Sequence, residues 1–246
     1  MSDQNFDFDG EFGDIEDELD LTLYADAKEL SEEVEAQTLQ DITSGLLENS
    51  RFDLVLTGGT LGLAISTKLV ESFNASANDF NGLHIWWSDE RYVAADSPDR
   101  NALPFHGKLT NKNIVVHEML ASDKSASAHE SWLDYENQLT NVALDLVILG
   151  VGPDGHVASL FPDLANLEDL KKTFLIESSP KPPPTRISFT MATINSSSKV
   201  WLVANGESKA DAVTKILESD LSIPASYVRG THHTRLIVDT EAFFAE

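Results

Sequence analysis

The sequence contains no cysteine, which excludes a whole class of sites. Disulfides, thiolate nucleophiles and cysteine-ligated zinc or iron–sulfur centres are all ruled out. Basic residues are also scarce, because 17 Lys and Arg stand against 41 Asp and Glu, giving a formal net charge of −24. A chain of this charge is a poor binder of nucleic acids and of anionic membrane surfaces. An anionic small molecule would have to be attracted by a local cluster of the few cations.

Long hydrophobic runs are absent too. No stretch of about 18 or more apolar residues occurs, and the N-terminus lacks the features of a secretory signal, so we expect a cytoplasmic protein. No flexible linker divides the chain, and its 41% hydrophobic content suits a single domain over residues 21–246. Residues 1–20 hold nine carboxylates and no Lys or Arg, which predicts a solvated, mobile segment. An acidic interaction tail is the alternative.

Short apolar runs alternate with amphipathic segments along the whole chain. This alternation, with strands of nearly unbroken Val, Ile and Leu, predicts a single-domain, Rossmann-like three-layer α/β/α sandwich with a mostly parallel sheet. Ligands of such sheets bind at the carboxyl ends of the strands. The runs interpreted as strands are "FDLVLTGG", "LHIWWSDER", "NIVVHEM", "LDLVILG", "TFLIES", "KVWLVAN" and "TRLIVDT".

Three glycines follow the most apolar of these strands. Gly150, Gly152 and Gly155 have the spacing G-x-G-x-x-G of a dinucleotide-binding loop. That loop must open a helix whose N-terminus holds the pyrophosphate. Pro162 follows closely and limits any helix here to about one turn, because proline breaks a helix interior. We therefore expect no nicotinamide cofactor.

The same loop presents an acid and a histidine, Asp154 and His156. Histidine titrates near neutrality and can deprotonate water as a general base, with Asp154 orienting the imidazole. A solvated loop histidine is the alternative. The sequence has neither a G-x-S-x-G nucleophile motif nor a metal-binding motif, and His232 and His233 form an isolated pair. We therefore predict attack by water, directed by His156, without a metal.

A second glycine turn, Gly-Gly-Thr at 58–60, precedes a predicted helix. Exposed N–H groups, a hydroxyl and the positive end of a helix dipole would form a phosphate cradle. A tight turn that needs positive φ is the alternative. Arg91, Arg186 and Lys209 lie next to other predicted strands and would supply positive potential. The predicted ligand is a phosphorylated small molecule.

Six motifs in this order resemble the glucosamine-6-phosphate isomerase/6-phosphogluconolactonase family, on its lactonase side. They are "LTGGTLG", "WWSDERYV", "PDRN", "LGVGPDGHVASLFP", "RISFT" and "GESKADAV". The resemblance implies the sugar-phosphate isomerase/deaminase-like fold. It also implies hydrolysis of 6-phospho-D-glucono-1,5-lactone in the pentose phosphate pathway, with no metal or organic cofactor. The implied partner is the phosphorylated sugar lactone, with no nucleic acid, membrane or obligate protein partner.

The resemblance also implies roles for individual residues. His156 corresponds to the water-activating histidine, Asp154 to its neighbouring acid and Arg91 to a catalytic residue that contacts the substrate. The chain departs from the family pattern at Arg100, where many members have serine. The implied substrate- and phosphate-binding residues are Gly58, Gly59, Thr60, Asp89, Glu90, Asn101, Gly152, Gly155, Arg186 and Lys209.

Two other functions stay open at this point. The related deaminases carry a glutamate five residues after the histidine, which assists sugar ring opening, and Phe161 stands at that position here. A lactone needs no ring-opening acid, so the lactonase is favoured over a glucosamine-6-phosphate deaminase. A non-catalytic sugar-phosphate sensor of the same fold is the second alternative.

Overall fold

The computed structural model describes residues 19–162 and 171–244. The described strands are β1 (Asp20–Tyr24), β2 (Phe52–Leu56), β3 (Leu83–Trp87), β4 (Asp89–Arg91), β5 (Val115–Val116), β6 (Leu146–Gly150), β7 (Thr173–Ile176), β8 (Arg186–Phe189), β9 (Lys199–Ala204) and β10 (His233–Asp239). The described α-helices are α1 (Ala27–Glu48), α2 (Gly59–Ala75), α3 (Ala128–Gln138), α4 (Met191–Asn195), α5 (Ala210–Leu217) and α6 (Thr240–Phe243).

Seven strands form one sheet in the order β1-β10-β9-β6-β2-β3-β5, and every neighbouring pair is parallel. Successive residues of its strands face opposite layers. Leu54 of β2 packs in the cluster that holds Leu30 of α1, whereas Val55 packs in the cluster that holds Tyr135 of α3. The sheet is therefore buried on both faces, and the predicted three-layer α/β/α sandwich is confirmed.

A second, three-stranded antiparallel sheet was not predicted. Its order is β4-β8-β7, and the register places Arg91 opposite Arg186. The run "LHIWWSDER" was predicted as one strand, but it divides at Ser88. The N–H of Ser88 donates to Leu56 O of the large sheet, and its carbonyl accepts from Phe189 N of the small one. The chain therefore passes from one sheet to the other at this residue.

The N-terminal boundary also differs from the prediction. Residue 20 was assigned to the acidic segment, yet Asp20 begins β1, whose register pairs it with Arg235 of β10. Residues 1–18 lie outside the described part. The predicted strand "NIVVHEM" shrinks to Val115–Val116 at the opposite edge of the sheet.

The central strands set the position of the site. β9, β6 and β2 are neighbours in the sheet, and they end at Ala204, Gly150 and Leu56 on the same edge because they are parallel. The segments that follow them carry the glycine turns and Lys209. This edge is where an open parallel sheet places its ligands.

Candidate active site

A cavity of about 480 Å³ opens at these strand ends. It gathers residues from both glycine turns, from the small sheet and from the segment after β9. Its lining residues are Thr57, Gly58, Gly59, Thr60, Leu61, Asp89, Arg91, Gly150, Val151, Gly152, His156, Ala158, Arg186, Val203, Ala204, Asn205, Gly206, Ser208 and Lys209.

The loop after β6 folds into a tight turn that brings His156 to the cavity. Gly152 N–H donates to His156 O at 2.8 Å, and Gly155 N–H donates to Gly152 O at 2.9 Å. A Cβ on Gly152 would lie 1.9 Å from His156 Nδ1, so only glycine permits the imidazole to lie where it does. Gly155 has φ +74° and packs against Ile223 outside the cavity lining. The two glycines therefore shape the loop that presents His156.

His156 and Asp154 form a close pair. The Nδ1 of His156 lies 2.5 Å from Oδ1 of Asp154. Burial lowers the pKa of His156, and its hydrogen bond to the Asp154 carboxylate opposes that shift only in part. The imidazole is thus neutral at neutral pH and able to accept a proton. Because Asp154 engages Nδ1, Nε2 is the nitrogen left for the cavity, and Asp154 itself lies behind the ring rather than in the lining.

Lys181 contacts the catalytic pair and was not predicted from the sequence. Its Nζ donates to Asp154 Oδ1 at 2.9 Å and lies 3.2 Å from His156 Nδ1. Although burial acts to raise the pKa of Asp154, hydrogen bonds from Lys181 and His156 lower that pKa to about 2. The available signal was a scarce cation in the proline-rich loop that precedes Arg186.

The Gly-Gly-Thr turn opens α2, as predicted. Gly58 is its N-cap residue, Gly59 has φ +74°, and Thr60 lines the cavity with both glycines. A Cβ on Gly58 would lie 1.9 Å from Asn101 Oδ1, and that asparagine is fully buried. The 17-residue helix therefore directs free N–H groups and its positive dipole end toward the cavity.

The buried polar residues behind this turn act on its structure. Asn101 donates through Nδ2 to Asp89 O and Oδ1, at 2.8 and 3.1 Å. The Glu90 carboxylate accepts backbone N–H groups of Arg91, Asn101 and Ala102. Of the three predicted binding residues Asp89, Glu90 and Asn101, only Asp89 is in the lining. Glu90 and Asn101 support the wall from behind.

Arg100, at the position where the sequence departs from the family pattern, is buried behind the site. Its side chain is 1% exposed, donates to Met119 O at 2.8 Å and lies 3.7 Å from Glu90 and 3.5 Å from Glu118. It is absent from the cavity lining. This departure from the family pattern is therefore a structural contact behind the site.

The three predicted cations all reach the cavity, but they are held differently. Burial lowers the pKa of Lys209. Arg91 donates to Asp99 O at 2.7 Å. The Nε and Nη2 of Arg186 donate to backbone carbonyls of the proline-rich loop. Arg91 thus keeps more donors for an anion than Arg186 does.

The histidine pair near the C-terminus is remote from this site. His233 begins β10, at the amino end of the strand, and His232 contacts Thr231 and Ser198 there. Within residues 19–162 and 171–244, no three His, Asp or Glu side chains are arranged to hold a metal ion. Over the same residues, no helix has the length and apolarity needed to cross a membrane.

The sequence and the fold are similar to those of known proteins. Residues 25–238 match the model of the family described as glucosamine-6-phosphate isomerases/6-phosphogluconolactonase. The chain is 33% identical to a 6-phosphogluconolactonase of Streptomyces coelicolor, over 90% of this chain and 92% of the relative. It is 36% identical to one of Mycobacterium bovis, over 77% and 83%. It superposes on a crystal structure of 6-phosphogluconolactonase from Thermotoga maritima with a TM-score of 0.77 and 28% identity, covering 91% and 100% of the two chains.

Proposed function

The chain belongs to the glucosamine-6-phosphate isomerase/6-phosphogluconolactonase family, and on that premise we propose that it hydrolyses 6-phospho-D-glucono-1,5-lactone to 6-phospho-D-gluconate with His156 as general base. The observation that carries this proposal is the pair of His156 and Asp154 at 2.5 Å, with Nε2 left for the cavity. The names of the relatives supply the substrate, which places the reaction in the pentose phosphate pathway. A cytoplasmic location is part of the same proposal.

The reaction needs a base and a positioned water. His156 Nε2 takes a proton from water as the water oxygen bonds to C1 of the lactone, forming a tetrahedral oxyanion. When this intermediate collapses, the bond from C1 to the ring oxygen breaks and the imidazolium returns its proton to that oxygen. The products are a hydroxyl group and a carboxylic acid that ionises in water. Asp154 stays ionised throughout and stabilises the transient imidazolium, which is the role of the acid in a histidine pair.

The phosphate would bind at the Gly-Gly-Thr turn and the cations of the cavity. The turn formed by Gly58, Gly59 and Thr60 offers N–H donors at a helix N-terminus, and Arg91 and Lys209 add two cations. These groups provide the local positive potential that a chain of net charge −24 needs to attract an anionic substrate. The phosphate then anchors the lactone while His156 acts on its carbonyl.

The alternatives are weaker on this geometry. Phe161 occupies the position of the deaminase glutamate, is 2% exposed and packs against the His156 ring with centroids 4.7 Å apart. That position therefore supplies no carboxylate for ring opening. A non-catalytic sensor would not need a half-buried histidine paired with an ionised acid.

Turnover of the lactone by the purified chain tests the proposal. Hydrolysis is followed by proton release and corrected for spontaneous opening, and ammonia release from glucosamine-6-phosphate is measured in parallel. We expect H156N to lower kcat by about two orders of magnitude with little change in KM, the scale of a lost general base. H232N, at the remote end of the sheet, is the matched control and should retain wild-type rates. Wild-type turnover in H156N would refute the mechanism, and binding without turnover by the wild type would indicate a sensor.

A further inference from the structure

The proline-rich loop before β8 reaches the catalytic pair from a distant part of the chain. Lys181 on this loop contacts Asp154 and lies 3.2 Å from His156 Nδ1, although 25 positions separate it from His156. Its side chain is 40% exposed and is absent from the cavity lining. Lys181 therefore lies on the Asp154 side of the imidazole, away from the space available to substrate.

Arg186 fixes the backbone of this loop. Its Nε donates to Pro183 O at 3.0 Å, and its Nη2 donates to both Lys181 O and Pro182 O at 3.1 Å. The guanidinium is also anchored from below, since Nη1 lies 3.4 Å from Ser159 Oγ and 3.7 Å from Asp89 Oδ2. A fork of donors on a side chain that is 4% exposed holds three successive carbonyls in one orientation.

We propose that Lys181 is a positioning residue for the His156–Asp154 pair, and that Arg186 acts by holding the loop that carries Lys181. The assignment to hydrolysis rests on the proposed function. Asp154 Oδ1 receives both the Lys181 ammonium and His156 Nδ1, so the lysine fixes the carboxylate that orients the ring. Lys181 Nζ also contacts Nδ1 at 3.2 Å, and a bond donated there would leave the proton on Nε2, so the base would be lost. Its bond to Asp154 favours the productive tautomer.

The ammonium also sets the charge balance at the imidazole. Lys181 acts to lower the pKa of His156, whereas Asp154 acts to raise it. The Phe161 ring packs against the His156 ring, and both Lys181 Nζ and Arg186 Cζ lie 5.8 Å from its centroid. The charged groups around the imidazole are Asp154 on its own loop, Lys181 on the proline-rich loop, Asp89 and Arg91 on β4, Arg186 on β8 and Lys209 after β9.

An NMR titration of the His156 ring tests this without any substrate. The resonance is assigned by its loss in H156N, and the wild type is compared with K181M. Removing the ammonium should raise the pKa of His156 by about 0.5 to 1, because a neighbouring positive charge disfavours the imidazolium. K112M, which removes an exposed lysine near β5, is the matched control and should leave the titration unchanged. An unchanged titration in K181M overturns the proposal, whatever the chain proves to hydrolyse.

Kinetics separate positioning from substrate binding. In K181M the acidic limb of the pH profile of kcat/KM should move to higher pH, together with the His156 titration. KM should stay within about twofold of the wild-type value. K181R keeps the charge, so its acidic limb should lie at the same pH as that of the wild type. A large rise in KM with a wild-type pH profile would make Lys181 a substrate-binding residue and overturn the proposal. Failure of the wild type to turn over lactone would refute the proposed function alone.

The loop-holding role has its own variant. R186K keeps the charge but cannot offer the same fork of donors. We expect it to shift the His156 titration in the same direction as K181M. A raised KM with an unaltered titration would instead assign Arg186 to the phosphate. If R186K does not fold, the partly exposed K181M still tests the lysine independently.

Discussion

Replacing Gly152 with alanine should displace the proposed base without altering any ionisable group. The added Cβ would lie 1.9 Å from Nδ1 and 2.0 Å from Cε1 of His156, and 2.8 Å from Oδ1 of Asp154. Gly152 has no positive φ, so alanine fits the backbone and the clash is with side chains alone. The imidazole must rotate away, which breaks its bond to Asp154. We expect kcat to fall by about two orders of magnitude or more, the loss expected for general-base catalysis.

The same clash should destabilise the fold by about 1 to 3 kcal/mol, as overpacking does. Urea unfolding of G152A, H156A and the double variant forms a cycle that isolates the contact. In the H156A background the two closest atoms are gone, so G152A should cost much less there. Equal destabilisation in both backgrounds would place the effect in the backbone and refute the steric argument. Wild-type turnover in G152A would show that His156 need not occupy this position.

Two further predictions concern charge. Because the pKa of folded Asp154 is about 2, below the unfolded value of about 3.9, its contribution to stability is present above the unfolded value and is lost as pH falls through about 2. The urea midpoint difference between wild type and D154N should therefore shrink from pH 5 to pH 2, and a constant difference would contradict the pairing. E90A should cost about 3 to 5 kcal/mol in urea unfolding, because it strands the buried Arg100 and three backbone N–H groups. The control E118A removes a carboxylate that is 28% exposed and should cost clearly less, so equal losses would refute the burial argument.

The sequence predicted the layers of the fold because the parallel strands are buried on both faces and read as continuous apolar runs. It missed β1, whose edge position leaves Leu21 and Leu23 more than a third exposed. It also missed the change of sheet at Ser88. That change depends on hydrogen bonds to Leu56 and Phe189, and no local periodicity records such partners.

Sequence motifs predicted the contacts of the site only where both partners lie in one short stretch of the chain. Asp154 and His156 are two positions apart in one turn, so their pairing could be inferred from the loop. Lys181 comes from the loop that ends at β8 and enters through tertiary packing, which its own neighbours in sequence do not indicate. Glu90 and Asn101 share motifs with residues of the cavity wall, yet their side chains point into the wall and support it.

The placement of β10 between β9 and β1 has a consequence for synthesis on the ribosome. Thr22 of β1 accepts a hydrogen bond from Arg235, 213 positions later, so the first described strand pairs only after the last described strand has been made. At about 5 to 20 residues per second, that wait is roughly 10 to 40 s. Among the described strands β1 has no other partner during that time, and this edge of the sheet is completed only when β10 emerges.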